Sequence, residues 1–309
     1  MTSDLRVQLG PRVLPNPIIA ASGTFGYGDE LAALCPPAEL GAVTIKSLSA
    51  APWAGNPAPR LHPATAGMLN AVGLQNPGIP GWIDHEWPRL AATGARVIGS
   101  IWGRTTDEYA DAARALAPVL DGLIALEVNV SCPNLEDRST MFAHSATATA
   151  AVTAAVVAAV APLPVFMKLS PNCTDVRPIA RAALDAGATG LTLINTVMGL
   201  GIDASTRRPV LGNGPGGLSG PAIKPVALRV VHEVRRELPG VAIIGTGGVA
   251  SGEDAAEMLV AGATAVGIGT ATFREPRAAI RVRDELARWC AKHGVARVGE
   301  LTDSVEDPA

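Results

Sequence analysis

The chain has 309 residues and a formal net charge of −3, with 48% hydrophobic and 17% charged residues. That balance suits a globular protein with a large core and gives no electrostatic basis for binding nucleic acid or an anionic membrane. The four cysteines (Cys35, Cys132, Cys173 and Cys290) are scattered with no C-x-x-C pair, which argues against a disulfide framework and against a zinc or iron–sulfur site in this chain.

The first six residues contain no apolar secretory core, so a cytoplasmic location is expected. Residues 7–9 and 12–14 flank Gly10-Pro11 and predict a small hairpin. Residues 17–21 read as a first buried strand and 42–46 as a second, with a short helix expected around 29–34. Residues 48–79 are irregular and rich in Pro and Gly, and a loop of that length in a compact domain is usually functional. Strand and helix then alternate. Strand 96–101 precedes helix 106–117, strand 123–129 precedes an Ala-rich helix 146–160, and strand 165–169 precedes helix 175–186. Strand 190–194 leads through a second long loop, 195–220, to helix 221–238. Strand 242–245 precedes helix 251–261, and strand 265–268 precedes the terminal helices. The most apolar window, 146–160, is short for a membrane span.

Eight strands, each followed by a helix or by a long loop and a helix, imply a parallel sheet with right-handed crossovers. A doubly wound sheet is the competitor. Eight similar units and glycine-rich turns after the last two strands favour an α/β fold closed as a (β/α)8 TIM barrel, with a short N-terminal hairpin and long active-site loops. No linker interrupts the pattern, so residues 1–309 read as a single domain.

In such a barrel the carboxyl ends of the strands converge on one face, where sites are built. Here those ends are Ser22-Gly23, Lys46-Ser47, Ser100, Asn129, Lys168, Asn195-Thr196, Gly247-Gly248 and Gly269-Thr270. Cys132 follows Asn129 in a loop closed by Pro133. A lone cysteine is most often a small buried hydrophobe, but chemistry is usually placed on loops, and Cys132 is the expected reactive group. The turns Gly245-Thr246-Gly247-Gly248 and Gly267-Ile268-Gly269-Thr270 either only reverse the chain or let backbone N–H groups approach a phosphate; both together favour phosphate. Ser251 with Asp254 fits a capping box. Lys46 and Lys168 end apolar strands, so each is either a structural ion-pair partner or a working cation, and Lys168 also fits a Schiff-base nucleophile. Asn70 and Asn195-Thr196 offer amide and hydroxyl groups to a planar ligand, or else cap loops. The five histidines fall in loops or on helices without metal-ligand spacing.

Four stretches resemble the class 1 dihydroorotate dehydrogenases: Asn129-Val130-Ser131-Cys132-Pro133-Asn134, residues 68–78 from Met68-Leu69-Asn70 to Asn76-Pro77-Gly78, Ile194-Asn195-Thr196, and residues 216–225. The resemblance runs from the first strand to Thr270, and residues 20–28 look most like the NAD-linked class 1B catalytic subunit. It implies FMN in the barrel mouth and oxidation of dihydroorotate to orotate in pyrimidine biosynthesis, with Cys132 removing the C5 proton while hydride leaves C6. Ser22, Lys46, Ser47, Asn129, Lys168 and Ile194 would contact FMN, as would Gly220, Gly247, Gly248, Gly269 and Thr270. Lys46, Asn70, Ala71, Val72, Gly73, Leu74, Asn129, Asn195 and Thr196 would hold the substrate. Lys168 would stabilise negative charge on the reduced flavin. The chain departs from the family at Ser100, where asparagine is usual and a shorter side chain must supply the FMN contact.

The class 1B likeness further implies a partner subunit carrying FAD and an iron–sulfur cluster, in a heterotetramer with two of each chain and NAD as final acceptor. The fumarate-linked class 1A homodimers share most of these motifs and remain an alternative. Two other readings stand beside these: an aldolase using Lys168 as a Schiff base, and a non-catalytic barrel that binds a phosphate ligand. Neither explains a loop cysteine together with the amides at Asn70 and Asn195.

Overall fold

Strands buried on both faces read as unbroken apolar runs, because helices cover one side and the barrel interior fills the other. In the computed structural model, which describes residues 3–131 and 142–306, the eight predicted runs form β1 (Ile18–Ala20), β2 (Ala42–Thr44), β3 (Val97–Ile101), β4 (Leu123–Asn129), β5 (Val165–Leu169), β6 (Gly190–Leu193), β7 (Ala242–Thr246) and β8 (Ala265–Ile268). Each pairs in parallel with its sequence neighbour, and β8 returns to β1 to close the barrel. The core is continuous from the barrel interior to the surrounding helices.

The helices are α1 (Ile79–His85), α2 (Trp87–Ala92), α3 (Thr106–Ala115), α4 (Ala146–Val160), α5 (Arg177–Asp185), α6 (Lys224–Glu237), α7 (Gly252–Val260), α8 (Ala271–Arg274) and α9 (Ala278–Lys292). Three start on hydroxyl caps, with Thr105, Ser145 and Ser251 accepting from the N–H three residues on, each worth about 1 kcal/mol. The N-terminal hairpin, Val7–Leu9 with Arg12–Leu14, buries Leu9 and Leu14. A Cβ on its turn residue Gly10 would lie 2.9 Å from Thr189 and 3.9 Å from the Phe166 ring, so the hairpin lies against the amino-terminal end of the barrel. No helix among the described residues is long and apolar enough to cross a membrane.

Three features differ from the sequence expectation. Residues 29–34 form tight turns rather than a helix, with Ala32 N–H bonded to the Asp29 carbonyl and Leu34 N–H to Leu31; Pro36 and Pro37 end any helix begun there. Helices α1 and α2, between β2 and β3, were not anticipated. Both long loops also contain strands: Val197–Gly199, Gly216–Ser219, Gly67–Asn70 and Leu61–Ala64 form, in that order, an antiparallel sheet at the barrel mouth.

Candidate active site

Alternate residues of a strand share a face, and in β4 this turns Glu127 and Asn129 inward, with Asn129 last. A cavity of about 420 Å³ opens at this end of the barrel, within the range of small-ligand sites. Ser22, Lys46, Ser47, Asn129, Lys168, Ile194, Asn195 and Thr196 line it from the ends of β1, β2, β4, β5 and β6. Gly247, Gly248, Gly269 and Thr270 line it beyond β7 and β8, and Asn70, Val72, Gly73, Leu74 and Gly220 come from the two long loops.

Two predicted positions stand apart. Ser100 is wholly buried beneath the lining, its Oγ 2.9 Å from Ser47 Oγ and 3.5 Å from Ser22 Oγ. Ala71 faces a small core with Leu69 and Leu211. Cys132 lies outside the described residues. Thr24, Met68, Ser131, Ser219 and Thr246 also line the cavity, from stretches named above in which they carry no individual role. For Thr246 the signal was strand alternation, which places it on the face shared with Ile244.

Hydrogen bonds fix the polar lining. The Asn129 side-chain oxygen accepts from Asn195 Nδ2 and from Ser131 N–H, each at 3.2 Å, while its Nδ2 donates to Ser47 Oγ at 3.5 Å. Behind it, the Tyr109 hydroxyl donates to the Asn129 carbonyl at 2.7 Å. Asn195 Oδ1 in turn accepts from Thr196 N–H, and Asn172 Nδ2 donates to the Thr196 carbonyl. On the opposite side, Asn70 Nδ2 donates to the Gly217 carbonyl at 3.3 Å, tying the two long loops together. The segment after Asn70 is held from outside. Trp53 Nε1 donates to Gly73 O, Asn56 Nδ2 to Ala71 O and the Tyr27 hydroxyl to Gln75 O. Burial, with Glu30 adding to it, pushes the Tyr27 phenol well above its ordinary pKa, so it stays a donor.

Among the described lining residues the only charged ones are Lys46 and Lys168, so the cavity favours an anionic ligand. Lys168 is 8% exposed, and its Nζ lies 3.6 Å from Glu127 Oε1. Gly247 (φ +130°) and Gly248 (φ +79°) turn the chain after β7 in the backbone region that favours glycine. The turn leads to α7, capped by Ser251, while Asp254 accepts from Ala250 N–H at 2.9 Å and pairs with Lys224 at 2.6 Å. Burial raises the Asp254 pKa, but bonds from Lys224, Ala250 N–H and Ser251 outweigh it and hold the carboxyl below its usual range. Thr270 Oγ1 donates to Ser219 Oγ at 2.8 Å, joining the end of β8 to the mouth sheet. No histidine lines the cavity, and no cluster of three or more His, Cys, Asp or Glu residues placed for a metal ion occurs among the described residues.

A family model described as dihydroorotate dehydrogenase matches residues 5–289. The chain is similar to the dihydroorotate dehydrogenase B (NAD(+)) catalytic subunit of Geobacter sulfurreducens, at 45% identity over 98% of both chains. It is similar to the same subunit of Halalkalibacterium halodurans at 42% over 97% of both. A provisionally named dihydroorotate dehydrogenase A (fumarate) of Solibacter usitatus is 44% identical over 99% of this chain and 100% of its own.

Proposed function

The chain belongs to the dihydroorotate dehydrogenase family, and from that membership we propose that it oxidises (S)-dihydroorotate to orotate, a step of de novo pyrimidine synthesis, with FMN held in the barrel mouth. The observation that carries this is the make-up of the cavity: two cations and no carboxylate among its described lining residues, amides from three directions, and a glycine turn leading to the capped start of α7. These groups fit a flavin nucleotide, the cofactor of this family. Gly247, Gly248, Gly269 and Thr270, with Gly220 beside them, would receive its phosphate. Ser22, Ser47, Asn129, Lys168 and Ile194 would hold its ring system, with Ser100 acting through the Ser47 hydroxyl.

FMN, when bound, supplies the acceptor for the hydride that leaves C6 of the substrate. The remaining work falls to this chain. Lys46 would meet the substrate carboxylate, and Asn70, Asn129, Asn195 and Thr196 would bond the ring amides, with Val72, Gly73 and Leu74 lying over it. Cys132 would take the C5 proton; in sequence it comes three residues after Asn129 and directly after the lining residue Ser131. A thiol works as a base through its thiolate, so with an ordinary pKa of roughly 8.5 turnover rises toward mildly alkaline pH.

For the exit of electrons we favour NAD, reached through a partner subunit carrying FAD and an iron–sulfur cluster in a heterotetramer with two of each chain. The names of the Geobacter and Halalkalibacterium relatives support it, and the scattered cysteines of this chain suit no cluster of its own. The fumarate-linked reading is supported by the Solibacter relative at similar identity. A cytoplasmic enzyme with residues 1–309 acting as one FMN-binding domain is part of the same proposal. The test is the absorbance spectrum of the purified chain, followed by anaerobic dihydroorotate. A flavin spectrum that bleaches at once, and does so slowly in Cys132→Ala, is expected; a colourless chain that takes up no FMN overturns the proposal and favours Schiff-base chemistry at Lys168. Colour restored by fumarate alone would move the enzyme to the fumarate-linked branch.

A further inference from the structure

Glu127 is a carboxylate in the barrel interior, 2% exposed, whose Oε1 has no hydrogen-bond partner among the described residues. Burying such a group is costly unless a charge answers it. The charge that answers it is Lys168, one strand away on β5, with Nζ at 3.6 Å from Oε1. That separation is an ion pair but longer than a charge-assisted hydrogen bond. The ammonium therefore keeps its N–H directions for the cavity it lines, while the carboxylate stands behind it. Lys168 sits in register with Asn129 on one side and Thr192 on the other, and neither is charged. Lys46 is the other charged group among the described lining residues.

We infer that Glu127 is a positioning residue of the proposed redox site, its carboxylate neutralising and holding the Lys168 ammonium beneath the bound ring system. This rests on the flavin reading given above. Alone, Lys168 would be a buried unpaired cation pressing its full charge on the ligand. Backed by Glu127 it belongs to a neutral pair, which limits how strongly the site favours electron density on the ring.

The test is a cycle of Glu127→Gln, Lys168→Met and the double variant. In thermal unfolding of the apo chain, Glu127→Gln is expected to melt lower by several degrees, and the double variant to recover most of that loss because no charge is left unpaired. With FMN bound, spectroelectrochemistry is expected to give a midpoint potential raised in Glu127→Gln, lowered in Lys168→Met and close to the parent in the double variant. A purely structural residue would not produce shifts of opposite sign that cancel. The inference is overturned if Glu127→Gln melts like the parent, or if its potential is unmoved or lowered. Should Glu127→Gln fail to fold, a folded double variant supports the pairing and an unfolded one overturns it. A parent chain that takes up no FMN sinks the flavin reading instead, and the apo melting cycle then decides the pairing alone.

Discussion

Gly248→Ala tests whether the turn after β7 is built around a missing side chain. Gly248 has φ +79°, and a Cβ there would stand 2.6 Å from Lys224 Cβ and 2.7 Å from Lys224 N. The left-handed conformation costs an L-residue roughly 1–2 kcal/mol. The collision adds about 1–3 kcal/mol, because its partner is main chain at the start of α6 rather than a movable side-chain end. Lower entropy in the unfolded chain returns about 0.4–1 kcal/mol, leaving a net loss of roughly 2–4 kcal/mol. At about 2–4 °C per kcal/mol for domains of 150–250 residues, the apo Tm falls by around 4–16 °C. Any part relieved by opening the turn weakens FMN tenfold per roughly 1.4 kcal/mol, read by fluorescence titration. Gly240→Ala is the control, since it shares the strain (φ +78°) and meets nothing within 4 Å. It should lose only the backbone share and bind FMN like the parent. If Gly248→Ala matches the parent in Tm and FMN affinity, or matches Gly240→Ala in both, the steric argument fails.

Three further outcomes are expected. Tyr109→Phe removes the donor to the buried Asn129 carbonyl and should cost about 1–3 kcal/mol in urea unfolding; an unchanged midpoint would show that the bond is replaced. In Gly217→Ala the new Cβ falls 2.1 Å from Thr196 Oγ1 and displaces it. KM for dihydroorotate should then rise about tenfold, the worth of one hydrogen bond, with the flavin spectrum intact; an unchanged KM would remove Thr196 from the substrate site. Asp254 has a folded pKa below its unfolded one, so its contribution is present above the ordinary carboxylate value of about 4 and is lost as pH falls through the lower folded value. Asp254→Asn should therefore be less stable than the parent at pH 7, and the gap should close on acidification. A gap independent of pH would contradict this.

The barrel was legible because its strands are local apolar runs whose carboxyl ends carry polar residues, and Asn129, Lys168 and Gly247-Gly248 were found that way. The mouth sheet was not, because its pairing is remote: Asn70 meets Gly217 across 147 residues. Its segments are short, and the Pro and Gly that permit its turns obscure any alternation. Helices α1 and α2 were missed for a similar reason, being seven and six residues long, each with proline in its first turn. Ser100 shows where strand-end reasoning stops. Being last on an inward face puts a residue near the mouth, but side-chain length decides whether it reaches the cavity, and among the described residues the serine side chain at this position bonds Ser47 and Ser22.

The return of β8 to β1 has a consequence for how the chain is assembled. Ser22 follows the first strand of the barrel and Thr270 the last, yet both line one cavity. A molecule seated there would touch both lips of the seam and so act as a clasp on a closed hoop. A nascent chain cannot hold that clasp until almost all of it has been made. Once held, ligand at a hundred times its Kd would add about 2.7 kcal/mol to the stability of the closed barrel, so the seam would be tightest in the cofactor-loaded enzyme.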